Sequence, residues 1–308
     1  MDHVVTPAEY RFPLVLNTDD SIGTLTHEQR IQLSDSWREA VRFGCRRSVW
    51  TKRMAEMEAL MPAFQEHGTV FMGSGDFHHL SFALIQRCIA AGGYDMLRPL
   101  QVVILDNHPD NMRFPWGIHC GSWVQRVALL PAVAKVHVVG ITSSDLGAAH
   151  AWEHRLAALC AGKLTYWSTK VDTGWAKLLG LGSFFRSFET EDAMVNALCE
   201  TLAEGDTDTY FSVDKDAFSP EVVRTNWDQG ELRTQHMQDI VQALRGRIVG
   251  SDVTGEVSVW NYSTPWKRWL STADGQDTTQ EDAELPQWQA HQTSFNQQLL
   301  QMLQAARS

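Results

Sequence analysis

The chain lacks most of the features that mark secreted, membrane-bound or nucleic-acid-binding proteins. Its five cysteines (Cys45, Cys88, Cys120, Cys160, Cys199) are odd in number, scattered and without a CxxC pair. That argues against a disulfide framework or zinc knuckle and favours a reducing compartment. No apolar run approaches the roughly 18 residues of a membrane span. Residues 1–7 lack the basic and apolar regions of a secretory signal. The expectation is a cytoplasmic protein with no membrane contact. Positive charge is scarce as well: 26 Lys and Arg against 37 Asp and Glu leave a formal net charge of −11. With no basic cluster to meet phosphates, a nucleic-acid partner is not expected. The sequence leaves open whether the chain forms a homo-oligomer.

What is present is an alternation of short apolar runs and amphipathic stretches. Thr69–Met72, Val102–Leu105, Val136–Ile141, Thr209–Val213 and Arg247–Gly250 read as buried strands. Helical spacing fills Leu80–Ala91, Ser122–Leu130, Leu146–Ala161, Glu191–Ala203, Thr234–Leu244 and most of 281–306. Strands alternating with helices predict an α/β fold with a mainly parallel sheet flanked by helices. Residues 1–25 read as irregular and 26–67 as mostly helical. This gives an N-terminal irregular and helical extension over 1–65 and an α/β catalytic domain over 66–308.

The chemistry-bearing residues cluster where strands are expected to end, the rim at which open α/β sheets bind ligands. Asp106-Asn107-His108-Pro109-Asp110 closes one apolar run. Asp214-Lys215-Asp216 closes another. Extended backbone sends residues i and i+2 to the same side, so each segment aims its acidic or imidazole groups at one place. Several ionised carboxylates crowd together only around cations, and oxygen-rich sets with a His suit hard divalent ions. A further ligand is expected from the turn Gly73-Ser74-Gly75-Asp76-Phe77-His78-His79. Adjacent histidines cannot both point at one centre, and His78 is preferred over His79. The residue reading is a two-metal hydrolase.

These motifs resemble those of the ureohydrolases: the arginase, agmatinase and formimidoylglutamase family. The family's glycine turn ending in His is met by Gly75-Asp76-Phe77-His78. Its Asp-x-His-x-Asp is met by Asp106, His108 and Asp110, and its Ser-x-Asp-x-Asp-x-x-x-Pro by Ser212, Asp214, Asp216 and Pro220. The resemblance runs from about Val70 to Val257. It implies a three-layer arginase-like fold and two Mn2+ per chain on His78, Asp106, His108, Asp110, Asp214 and Asp216. It also implies a metal-dependent amidinohydrolase of linear amidines, in which a metal-bridging hydroxide cleaves a C–N bond of a small guanidino or amidino substrate. By the same resemblance His119, in Gly117-Ile118-His119-Cys120-Gly121, is the proton-shuttling catalytic residue. Glu256, in Asp252-Val253-Thr254-Gly255-Glu256-Val257, is the substrate-binding carboxylate.

Some positions depart from the family pattern. Lys215 replaces an apolar residue between the two aspartates, and alternation should turn it away from the metals. Ser219 precedes Pro220 where an Asp is usual, and one residue is inserted between Val253 and Glu256. The segment Asn111–Pro115 does not reproduce the arginase grip on an amino acid. These departures motivate the alternative of a non-catalytic metal-binding relative that holds a ligand or protein partner. A single-zinc deacetylase is a third reading, but it would leave Asp110 and Asp216 without a role. Of the twelve tryptophans, Trp116 and Trp123 flank the His119 loop, with Trp116 the candidate for a pocket wall.

Overall fold

The computed structural model describes residues 11–273, 276 and 283–307. In chain order its strands are β1 (Phe12–Asn17), β2 (Gln29–Gln32), β3 (Gly44–Arg46), β4 (His67–Phe71), β5 (Leu100–Leu105), β6 (Gly117–His119), β7 (Val133–Ile141), β8 (Leu164–Thr169), β9 (Phe185–Phe188), β10 (Thr209–Asp214) and β11 (Ile248–Thr254). Nine of them form one sheet in the order β2-β1-β4-β11-β10-β5-β7-β8-β9. Every pairing within it is parallel. β3 and β6 make a separate antiparallel pair.

Alternation along the strands sorts the core onto two faces. Leu14, Val102 and Ile104 face one side with Leu80, Leu84 and Val127 of the helices Leu80–Gly92 and Val124–Ala128. Val15, Val103 and Leu105 face the other with Leu198, Ile240 and Leu299 of the helices Glu191–Ala203, Thr234–Ala243 and Leu285–Arg307. The result is the three-layer α/β architecture expected, because parallel strands are buried on both faces and need helices above and below.

The N-terminal expectation needs correction. Residues 12–17 and 29–32 are strands that extend the sheet, where an irregular lead and a helix had been read. Pro13 disguises β1: it has no N–H for the ladder, and the pairing with β4 shifts register between Phe12 and Leu14. The helix expected over Leu146–Ala161 is instead two 3-10 turns (Ser144–Leu146, Ala148–His150) and a short helix, Ala157–Cys160. Expected helical residues 281 and 282 lie outside the described residues; the C-terminal helix runs from Leu285 to Arg307.

Strand order is what positions the site. The chain moves from β4 to β5 and later fills the gap between them with β10 and β11. The loops leaving β4, β5 and β10 therefore open at the same carboxyl rim, although they are far apart along the chain: Asn107 and its partner Asp216 are separated by 109 residues.

Candidate metal centre

Each candidate ligand sits where its strand gives way to a loop. His78 caps the 3-10 turn Gly75–Phe77 after β4, Asp106 follows β5 directly, and Asp214 ends β10. The structure brings all six together. His78 Nδ1 lies 3.0 Å from Asp106 Oδ2, 3.3 Å from Asp214 Oδ2 and 3.4 Å from Asp110 Oδ2. His108 Nδ1 lies 3.0 Å from Asp216 Oδ2 and 3.5 Å from Asp106 Oδ1. Two sets emerge in which donor atoms lie within 4.8 Å of one another: His78, Asp106 and Asp110, and Asp106, His108 and Asp216. Asp106 belongs to both.

The surroundings hold these groups in place. Asn107 N–H donates to Asp216 Oδ1 at 3.0 Å, and Trp123 Nε1–H donates to Asp110 Oδ2 at 2.6 Å. His78 Nε2 meets Ser212 Oγ at 3.1 Å, and Ser212 donates to the buried Asp252 at 2.7 Å. That relay fixes the ring so that Nδ1 faces the cage, the orienting role outer partners play at metal sites. It also gives the family's motif serine, Ser212, a physical role. His79 turns the other way and packs against Trp50, with ring centroids 5.5 Å apart. Two glycines make room for Asp214. A Cβ on Gly75 would lie 3.1 Å from Asp214 Oδ2, and one on Gly255, whose φ is +88°, would lie 2.5 Å from Oδ1.

The electrostatics are those of a cage built for cations. Burial, reinforced by Asp106, raises the Asp110 carboxyl to about 7. The same two causes raise Asp216 to about 6. Asp214 stands well above the usual carboxylate range through burial and Asp216. Burial opposes the charged form of His78, but Asp106, Asp110 and Asp214 outweigh it and raise its pKa well above normal. His78 Nδ1 and Asp106 Oδ2 are both buried, and although 3.0 Å apart they make no well-angled hydrogen bond. Four carboxylates and two imidazoles around such unsatisfied atoms fit divalent ions with oxygen preference.

No protein-family model matches the chain. It is 24% identical to an uncharacterized protein of Thermotoga maritima over 214 residues, which are 69% of this chain and 67% of that protein. Among solved structures it is similar to the proclavaminate amidino hydrolase from Streptomyces clavuligerus, with a TM-score of 0.55 and 15% identity over 98% of this chain and 94% of that one. It is also similar to the agmatine ureohydrolase of Thermoplasma volcanium, with a TM-score of 0.53 and 14% identity over 98% and 92%. The fold is that of the ureohydrolases.

Above the cage, this ureohydrolase fold opens a cleft of about 580 Å³. Beyond the six candidate ligands, its wall includes Asp145, His150, Glu153, Trp227 and Asp228, and among the described residues no Lys or Arg lines it. Asp228 Oδ1 reaches His108 Nε2 at 2.8 Å, and His150 Nδ1 reaches Glu153 Oε1 at 3.1 Å. Reading the sequence missed these wall residues. His150 and Glu153 fall within the helix expected over Leu146–Ala161, Asp145 lies just before it, and Asp228 lies in a loop outside the named elements.

The structure does not bring two of the expected site residues, Glu256 and His119, to the cleft wall. Glu256 is 1% exposed and absent from the cleft wall. Its Oε1 is held at 2.5 Å by Lys215 Nζ and at 2.6 Å by Asn296 Nδ2. Gly255, directly before it, has a φ of +88°, and the Glu256 carboxylate points into the interior. Lys215 does turn away from the cage, as alternation required, but into a buried ion pair completed by Gln292 and Asn296 of the C-terminal helix. His119 likewise faces a separate groove. Its Nδ1 accepts the Gly121 N–H at 3.1 Å. Burial, aided by Arg155 and Arg126, pushes its pKa down to about 3, so it is neutral at pH 7 and a poor proton donor.

Proposed function

We propose that the chain is a binuclear-metal amidinohydrolase that cleaves a C–N bond of a guanidino or amidino compound. The reading is carried by one observation: five acidic and imidazole side chains from three loops form two overlapping donor sets that share Asp106, and Asp214 stands beside them with Oδ2 3.3 Å from His78 Nδ1. A one-zinc deacetylase has no use for the second set. His78, Asp106, Asp110 and Asp214 would hold one ion, and His108, Asp106, Asp216 and Asp214 the other. The predominance of carboxylate oxygens favours Mn2+. Bound there, a pair of ions would acidify a water and so supply the nucleophile near neutral pH.

The chain's own residues account for the remaining steps. An amidinium or guanidinium is a planar cation, and a carboxylate holds it by paired hydrogen bonds. With Glu256 withdrawn, Asp228, Glu153 and Asp145 are the wall carboxylates able to orient it. His150, beside Glu153, is the cleft-wall imidazole outside the cage and the candidate to pass a proton to the departing amine.

The test is release of urea or ammonia from a panel of guanidino and amidino compounds by the Mn2+-loaded chain. Turnover of at least one compound is expected. His150→Asn should lower kcat by about 10²–10⁴-fold with metal content unchanged. Full loading with no release from any compound would favour the non-catalytic relative, which binds a ligand without cleaving it.

A further inference from the structure

Beside the cleft lies a second groove, of about 700 Å³, with the opposite electrostatic character. Its walls include Phe114, Trp116, Trp266 and Trp269, and its cations are Arg46 and Arg113; among the described residues no acidic side chain lines it. Trp116 and Trp269 are 73% and 70% exposed, a large amount of aromatic surface to leave in water. The rings are already organised: Phe114 stacks on Trp266 at 6.1 Å and meets Trp116 edge-on at 5.9 Å. Both arginines are exposed. In a chain of net charge −11, a groove lined by two guanidinium groups and no carboxylate is a local inversion of sign. Flat aromatic faces beside guanidinium groups recognise a planar ring bearing an anionic group.

The groove adjoins the proposed active cleft. Met112 lines both. His119 lines the groove, while Cys120 and Gly121, next along the chain, line the cleft. We infer that the groove is the subsite for the far end of the substrate, and that this end is an aromatic ring carrying a carboxylate or similar anion. The substrate is then charge-separated. Its amidino end lies among Asp145, Glu153 and Asp228, and its aryl anion lies among the tryptophans and Arg113. The assignment as a substrate subsite rests on the hydrolase reading; the binding of an aryl anion in the groove does not.

Naphthalene-1-carboxylate tests the groove in the metal-free protein, with binding followed by calorimetry and tryptophan fluorescence. Binding is expected, weakened about tenfold by Trp269→Ala and by Arg113→Ala, with circular dichroism unchanged. In the Mn2+-loaded protein, 4-guanidinobenzoate should displace the naphthoate and methylguanidine should not. Naphthoate that fails to bind, or binds both variants as tightly as the wild type, overturns the groove. Naphthoate that stays bound in the presence of saturating 4-guanidinobenzoate overturns the link to the cleft. Displacement without release of urea from 4-guanidinobenzoate leaves the subsite standing and counts against the hydrolase reading alone.

Discussion

Lys215→Met should destabilise the protein by about 3–5 kcal/mol in urea or thermal unfolding, because it strands Glu256 as an unpaired charge in the interior. Lys215 is fully buried and Glu256 nearly so. Burial pushes the lysine ammonium down and the glutamate carboxyl up, and each partner's charge counters the shift of the other. Only the pair keeps both ionised. The double variant Lys215→Met, Glu256→Gln should therefore recover most of the loss, since the carboxylate is gone and Asn296 can still bond to the amide. The single variant should also loosen the cage, because Lys215 stands between Asp214 and Asp216 and is anchored to the C-terminal helix through Gln292 and Asn296. If Glu256 instead held substrate in the cleft, Lys215→Met would leave stability nearly unchanged, and Glu256→Gln would act on KM alone.

The second large effect separates the candidate ligands by rank. Asp106 takes part in both donor sets and Asp110 in one. Asp106→Asn should abolish binding of both ions, and Asp110→Asn should abolish one and leave the other. Each should eliminate turnover of whichever compound the wild type hydrolyses. Metal analysis of the two purified variants after Mn2+ loading reads the difference directly. Equal metal content in the two would mean that Asp106 is not the shared ligand.

How much of this is legible in the sequence depends on how locally each feature is determined. The cage is written locally. Apolar runs such as those at 102–105 and 209–213 specify buried strands whose carboxyl ends share one rim, but strand alternation does not aim the ligands: residues 106–110 lie past β5 with Asp110 at φ +46°, and Lys215–Ala217 is a 3-10 turn. Parallel topology brings the rims together. Features set by distant packing are not written this way. β8 is buried throughout, yet its Thr165, Ser168 and Thr169 conceal the apolar signal. β1 is hidden by Pro13. Glu256 resembles the family's segment by residue type, but only the structure reveals Lys215 as its partner. His119 sits in the expected loop but stacks on Phe43 at 6.1 Å and meets Phe114 edge-on at 4.6 Å. His150 and Asp228, which line the cleft, carry no motif of their own. Chemistry at the cage is thus readable from sequence, whereas recognition of substrate is not.

The central claim is most directly tested by titrating the metal-free protein with Mn2+ in a calorimeter while counting bound ions and released protons. Two ions per chain are predicted, with proton release that grows as the pH falls below about 7. The sign follows from Asp110 and Asp216, raised to about 7 and about 6: below those values they carry protons that an incoming cation must displace, so affinity should weaken toward pH 5. A stoichiometry of one or none at pH 8, or binding indifferent to pH between 5 and 8, would contradict the two-ion cage.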